Sequence, residues 1–253
     1  QVILISDNCW KNSLRQYVRV LLFRLIVRKW FSAVWVPGKL GSKLMRINGF
    51  PKKKIYEGLY GTDNYCFSSG KPLKNRPKHF LYIGQLIHRK GINTLIKACK
   101  KFSLENPDWK VIVYGEGQYE EELKKCSNIE LHPFAQPKQV AKAMRNSRFL
   151  VLPSLMDHWP LVVSEASLSG CGLILSDKVG NSPEFLTVKN GFSFNPKSDT
   201  ELHDCLVKAS LLSNKKLDEA YQESLRLGSL YTPKKSGEKF SQIINDIISL
   251  NYQ

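Results

Sequence analysis

The stretch Pro153-Ser-Leu-Met-Asp157-His-Trp-Pro160-Leu-Val-Val-Ser-Glu165-Ala-Ser-Leu-Ser-Gly170 reads as a strand end, a polar turn and a helix. The four residues before it, Phe149 to Leu152, are an apolar run of the length that makes a fully buried strand. Pro153 and Ser154 stop that run. Pro160 suits the first position of a helix, where its missing N–H costs nothing. The next two amides, of Leu161 and Val162, would be orphan donors at a positive helix end, and such an end binds anions. Asp157 falls in the turn above the strand and Glu165 further along the helix. In an open α/β sheet this carboxyl edge is where ligands bind.

These residues resemble the signature of glycosyltransferase family 4, whose members have the GT-B fold. The family pattern is Glu, seven residues, Glu, around an aromatic–Gly–Leu–Val core followed by Glu-Ala. Here Asp157 stands for the first Glu, Trp159 is the aromatic, Pro160 stands for the Gly, and Glu165-Ala166 closes the pattern. Asp157 is one methylene shorter than Glu, and Pro160 has no N–H to donate. Without the resemblance, the stretch is equally an ordinary strand–loop–helix with a solvated aspartate.

Outward from the signature, short apolar runs recur at His79–Gly84, Lys110–Gly115, Ile129–Phe134 and Gly172–Asp177, with helical patterns between them. That alternation predicts βαβ units and a parallel sheet. Asn190-Gly191 reads as a tight turn, and helical periodicity runs from Asp199 to an apolar stripe of Phe240, Ile243, Ile244, Ile247 and Ile248. Tyr65 to Lys78 is polar and turn-rich. The expected boundaries are a first α/β segment over 1–70, a linker over 71–78 and a second domain over 79–253. In the family the last helix crosses back to the first domain, so the stripe is expected to do the same.

In front of the linker, Val2–Ser6, Ala33–Val36 and Lys54–Leu59 read as strands, and Lys39–Ile47 as a helix. Gly49, Pro51, Lys54, Ile55, Gly61 and Asp63 match the family's "Gly-x-Pro-x-x-Lys-Ile" and "Gly-x-Asp". There they close the first domain, so the resemblance implies a first domain without its front part, including the Gly-rich acceptor-side loop. The chain opens on Gln1, directly on a strand-like run, which gives the same expectation.

Charge is unevenly placed. The 253 residues carry a net +16, and residues 1–78 hold 16 Lys/Arg against 3 Asp/Glu. Such a front implies a polyanionic partner or surface. Trp10 to Phe31 is a basic amphipathic helix: Lys11, Arg15, Arg19, Arg24, Arg28 and Lys29 interleave with Leu14, Val18, Leu21, Leu22, Leu25, Ile26 and Trp30. It is too charged for the ~20-residue apolar run of a membrane span and has no signal-peptide cleavage site. A helix lying in an anionic membrane interface fits it; a domain helix with a basic outer face fits it as well. Nucleic acid is the weaker candidate, because no nucleic-acid motif accompanies the charge. The composition, 42% hydrophobic and 24% charged, is that of a globular protein with a real core. Six scattered cysteines without a C-x-x-C pair read as reduced thiols of a cytoplasmic protein. Neither they nor the five histidines have metal-ligand spacing.

Two further motifs follow strands. Tyr82-Ile-Gly-Gln85-Leu-Ile-His-Arg89-Lys90-Gly91 resembles the family's Gly-Arg-Leu…Lys-Gly, whose cations bind the donor diphosphate. Lys90 matches, Gln85 takes the Arg position without its charge, and Arg89 is the candidate replacement. By themselves Arg89 and Lys90 read as surface charges at a strand-to-helix turn. Gly115-Glu-Gly117 resembles the family's Gly-Asp-Gly, a turn that lets backbone approach the nucleotide, although a lone G-x-G suits any βα turn. His132 to Gln136 falls where the family places loop backbone near the base. Gly170, Gly172, Ser176, Gly180 and Glu184 continue the family's run after the signature as structural positions.

The resemblance, ordered over residues 33–195, implies a Rossmann-like α/β domain and a retaining, metal-independent transfer of a sugar from a nucleotide-diphosphate donor. The acceptor would be a glycan or a lipid-linked molecule, and the setting polysaccharide biosynthesis on the inner face of a membrane. No cofactor beyond the co-substrate is implied. Asp157 would hold donor-sugar hydroxyls and Lys90 the leaving diphosphate. Gln85, Arg89, Gly115, Gly117, Leu161, Val162 and Glu165 would complete donor binding, Glu165 through the ribose. A donor-binding module or inactive remnant remains the alternative.

Overall fold

The structure, a computed structural model, describes residues 1–8 and 14–249, the side chains of 14–16 and 18 excepted. Its elements are β1 (Ile3–Ile5), α1 (Leu14–Leu25), β2 (Ala33–Val36), α2 (Lys39–Ile47), β3 (Ile55–Glu57), β4 (His79–Ile83), α3 (Ile92–Glu105), β5 (Lys110–Tyr114), α4 (Glu120–Lys124) and β6 (Ile129–His132). Then follow α5 (Pro137–Arg145), β7 (Phe149–Leu152), α6 (Leu161–Leu168), β8 (Gly172–Ser176), α7 (Ser182–Phe185), β9 (Gly191–Phe194), α8 (Asp199–Ser210), α9 (Asn214–Gly228) and α10 (Pro233–Ser249). The expected helix over Trp10–Phe31 is α1 plus a 3-10 turn at Val27–Trp30; Trp10 and Lys11 lie outside the described residues. No described helix is long and apolar enough to cross a membrane.

The chain forms two compact units, Gln1–Thr62 with Leu230–Gln253, and Asp63–Ser229. In the first, β1, β2 and β3 make a parallel sheet in that order. β2 is buried on both faces, as its unbroken Ala-Val-Trp-Val run requires of a parallel strand. Val34 and Val36 pack with Leu44, Met45, Phe50 and Phe23, while Ala33 and Trp35 pack with Ile243 and Ile247 of α10. The last helix is therefore built into the first unit, where the Tyr56 hydroxyl also donates to Asp246 (2.9 Å).

The second unit has a six-stranded, all-parallel sheet in the order β6-β5-β4-β7-β8-β9. Strands β7 and β8 have every residue buried. Helices α3 and α8 pack together, as do α6 and α9. β9 is a strand that the Asn190-Gly191 turn only introduces. The turn-rich segment before β4 belongs to this unit, with Phe67 and Leu73 buried and Arg76 3% exposed. Chain direction across the sheet reverses between β4 and β7, so the crevice of this topology opens at their carboxyl ends.

Candidate functional site

The turn after β4 and the turn after β7 meet at that crevice. The first is a 3-10 turn, His88–Lys90, closed by Gly91 in the left-handed region (φ 72°). A Cβ on Gly91 would lie 1.8 Å from the Pro153 carbonyl oxygen, so only glycine lets the turns approach this closely. The Leu155 amide donates to the Arg89 carbonyl (2.8 Å), and the Arg89 guanidinium donates to the Met156 carbonyl (3.0 Å). Across this seam Lys90 Nζ pairs with Asp157 Oδ2 at 2.5 Å, with the two side chains only 14% and 12% exposed. Ser154 Oγ stands 3.5 Å from the same carboxylate oxygen. The Asp157 backbone is clamped to the loop after β8: its amide donates to Lys178 O (3.1 Å), and the Gly180 amide donates to its carbonyl (2.7 Å).

Beyond Asp157 the chain turns into α6. Pro160 is the N-cap, in extended geometry (φ −67°, ψ 114°), one position earlier than its sequence suggested. Its ring keeps the residue before it out of helical geometry, and the helix begins at Leu161. Leu161 and Val162 are thus the first two helical residues, whose amides have no carbonyl a turn behind them. Asn181, fully buried, donates from Nδ2 to the Pro160 carbonyl (2.9 Å) and anchors this helix end. Glu165 lies one turn on. Burial pushes its carboxyl up to about 7.

Three strand ends form the remaining rim. The Gly84 amide donates to Tyr114 O (3.0 Å), Leu86 to Glu116 O (2.8 Å) and Gly115 to His132 O (3.1 Å). A Cβ on Gly115 would lie 2.0 Å from Gly84 O, which explains glycine there. The Glu116 carboxylate accepts from the Phe134 amide (3.2 Å), tying the turn after β5 to the turn after β6. Tyr82, wholly buried under this rim, donates its hydroxyl to Gln85 O (2.9 Å).

Residues 67–226 match the model of a protein family described as Glycosyl transferases group 1. The chain belongs to that family. Over 236 residues it is 22% identical to a 2-deoxystreptamine N-acetyl-D-glucosaminyltransferase of Niallia circulans, covering 88% of this chain and 59% of that one. Its fold is the Rossmann-like parallel-sheet fold of GT-B glycosyltransferases. The structure of HepE from Anabaena in complex with UDP and glucose matches with a TM-score of 0.73 at 14% identity, over 98% of this chain and 71% of that one. The isolated C-terminal domain of LpcC, a glycosyl transferase group 1 protein of Francisella tularensis, matches with a TM-score of 0.59 at 22% identity, over 68% of this chain and all of that one. The chain spans 28 to 59% of the length of the curated relatives it matches.

In this group 1 glycosyltransferase chain, Lys90 and Asp157 are in contact, while Gln85, Gly115 and Gly117 lie on the turns of the rim. The Arg89 guanidinium donates to the Met156 carbonyl beside this seam and keeps its charge and its other N–H donors. Sequence reading passed over Tyr82, Glu116 and Asn181 as functional positions. The last follows Gly180 directly, which was its available signal. Among the described residues no three His, Cys, Asp or Glu side chains are grouped to hold a metal ion.

Proposed function

We propose that this chain is the donor-binding part of a retaining family 4 glycosyltransferase, moving a hexosyl group from a nucleotide-diphosphate sugar to a glycan or lipid-linked acceptor without a metal. The observation that carries this reading is the Lys90–Asp157 pair at the β4/β7 switch point, beside the first amides of α6. When the sugar–phosphate bond cleaves, negative charge builds on the leaving diphosphate. A fixed ammonium and helix-end amides stabilise that charge in the transition state more than in the ground state. Lys90 would turn from Asp157 to the diphosphate, with Leu161 and Val162 donating from the other side. Asp157, released, would accept from donor-sugar hydroxyls, and Glu165 from the ribose. The neighbour HepE, crystallised with UDP and glucose, supports this class of donor through its shared fold. Because the chain spans less than two thirds of its curated relatives, a second reading is that these 253 residues bind a nucleotide sugar yet transfer little.

Calorimetric titration tests the donor site. Lys90→Ala is expected to weaken a nucleoside diphosphate by ~10- to 100-fold, the loss of one charge-assisted contact, and to leave the free nucleoside unchanged. Glu165→Ala is expected to weaken both. Equal affinities in wild type and both variants would discard the site.

A further inference from the structure

Helix α1 has apolar residues on two sides. Phe23 points inward and packs on Phe31 and Phe50 in the first unit's core. On the other side Tyr17, Leu21, Leu22 and Leu25 meet solvent, Leu21 at 60% and Leu25 at 62% exposure, and Ile26 and Trp30 (66%) prolong the stripe past the helix end. At about 100° per residue these four helical positions share an arc of about 140°. Arg24 lies about 20° outside one border of that arc, and exposed Arg19 about 60° outside the other. Exposed Lys29 adjoins Trp30, while Arg28 is spent on the Gly49 carbonyl. From Asn8 to Tyr56 the sequence has twelve Lys/Arg and no acidic residue.

We propose that this face docks on an anionic lipid bilayer. Leu21, Leu22, Leu25, Ile26 and Trp30 enter the boundary between headgroups and acyl chains, and Arg19 and Lys29 engage lipid phosphates. The choice of partner follows from the pairing of the two chemistries. A nucleic-acid backbone rewards the cations alone and gains nothing from bared leucines. A bilayer rewards both, through apolar area buried in the interface and attraction to anionic headgroups. Tryptophan at the edge of the stripe has the amphipathic ring that settles at headgroup level.

Co-sedimentation of the 253-residue chain with vesicles tests this. Binding is expected to vesicles containing phosphatidylglycerol, to fall as salt is raised, and to be weak with pure phosphatidylcholine. Arg19→Glu with Lys29→Glu should lower the partition at least about tenfold. Leu25→Ser with Trp30→Ser should lower it comparably at low salt, while thermal unfolding stays that of the wild type because these side chains are exposed. Lys215→Glu with Lys216→Glu on α9 makes the same change in net charge and should leave binding intact. Equal sedimentation with neutral and anionic vesicles would overturn the proposal. So would a loss in the α9 variant matching that of Arg19/Lys29, since bulk charge would then suffice. Undiminished binding of the Leu25/Trp30 variant would overturn it in favour of a polyanion such as nucleic acid.

Discussion

Asp157 is one methylene shorter than the glutamate of the pattern it resembles, and in the structure it sits on Lys90. A pair this buried is sensitive to removal of either partner, because the survivor keeps its desolvation cost without compensation. Because Asn keeps an acceptor for Lys90 and the pair is not wholly buried, Asp157→Asn is expected to destabilise the free protein by about 1–3 kcal/mol. It should also strengthen nucleoside diphosphate binding, since the ligand no longer competes with a carboxylate for Lys90. Denaturation with and without nucleoside diphosphate checks this: a variant as stable as wild type, with unchanged affinity, would show the pair to be incidental. Glu165 supplies a pH dependence. Burial raises its folded pKa from 4.5 to about 7, so between those values the native state holds the extra proton. Stability from this group is thus present at low pH and lost as pH rises through about 7, by up to about 3 kcal/mol. Glu165→Gln should abolish that component, so its urea midpoint should gain on the wild type from pH 5 to 8. Parallel pH profiles for the two proteins would show that Glu165 is not held neutral. Nucleoside affinity should run the opposite way, rising with pH as the ionised carboxylate becomes a better acceptor for ribose hydroxyls.

Between elements, Arg76 is the main polar tie of the second unit. Its guanidinium donates to Met144 O (2.9 Å) in the last turn of α5 and Ser147 O (2.9 Å) just past it, to Ser169 O (2.7 Å) at the end of α6, and to Lys71 O (2.6 Å). Two helix C-termini, each with orphan carbonyls and a partial negative charge, thus share one buried cation, which lies over the Tyr221 ring. No carboxylate is among these partners. Arg76→Ala would take a donor from each of four carbonyls, of which Met144 O keeps the Ser147 amide (3.2 Å), and is expected to cost at least about 3 kcal/mol. Arg76→Lys should recover only part of this, because a single ammonium cannot span the fork. Guanidinium unfolding of both variants measures the difference, and a lysine variant as stable as wild type would show that charge alone matters. The same tie makes residues 65–78 part of a folded unit despite their loop-like composition.

For the whole molecule, the family match over 67–226 and the compact unit Asp63–Ser229 nearly coincide. The donor rim lies wholly within that unit. A polypeptide of residues 63–229 is accordingly expected to fold alone and to bind a nucleoside diphosphate within about threefold of the full chain, a difference of under ~1 kcal/mol. The LpcC domain, whose whole length matches this chain, is a precedent for independence of the fold. Failure of the fragment to fold, judged by a non-cooperative melt, would show that the first unit stabilises the second. The charge asymmetry belongs to the other unit, so removing it should also remove vesicle binding.

What the sequence determined by itself was local and ordered. Unbroken apolar runs such as Phe149–Leu152 and Gly172–Leu175 can be satisfied only as strands covered on both faces, and glycines such as Gly91 and Gly115 mark turns that other backbone must approach. Five strands of the parallel sheet, the turns after them and the signature helix were therefore legible, some with ends one or two residues long. The tertiary structure decided which turns meet. Lys90 and Asp157 are 67 residues apart, and they touch because β7 pairs beside β4, a strand order that no local pattern encodes. The Arg89 contact with the Met156 carbonyl was not legible, because every residue offers a backbone carbonyl and nothing in the sequence marks that one. Asn181 and Arg76 act through backbone carbonyls in the same way. Burial of Glu165 is a property of the packed sheet and helices around it. The β9 strand was missed because Gly191 to Phe194 is too short and too mixed to announce itself, and becomes a strand only by pairing with β8.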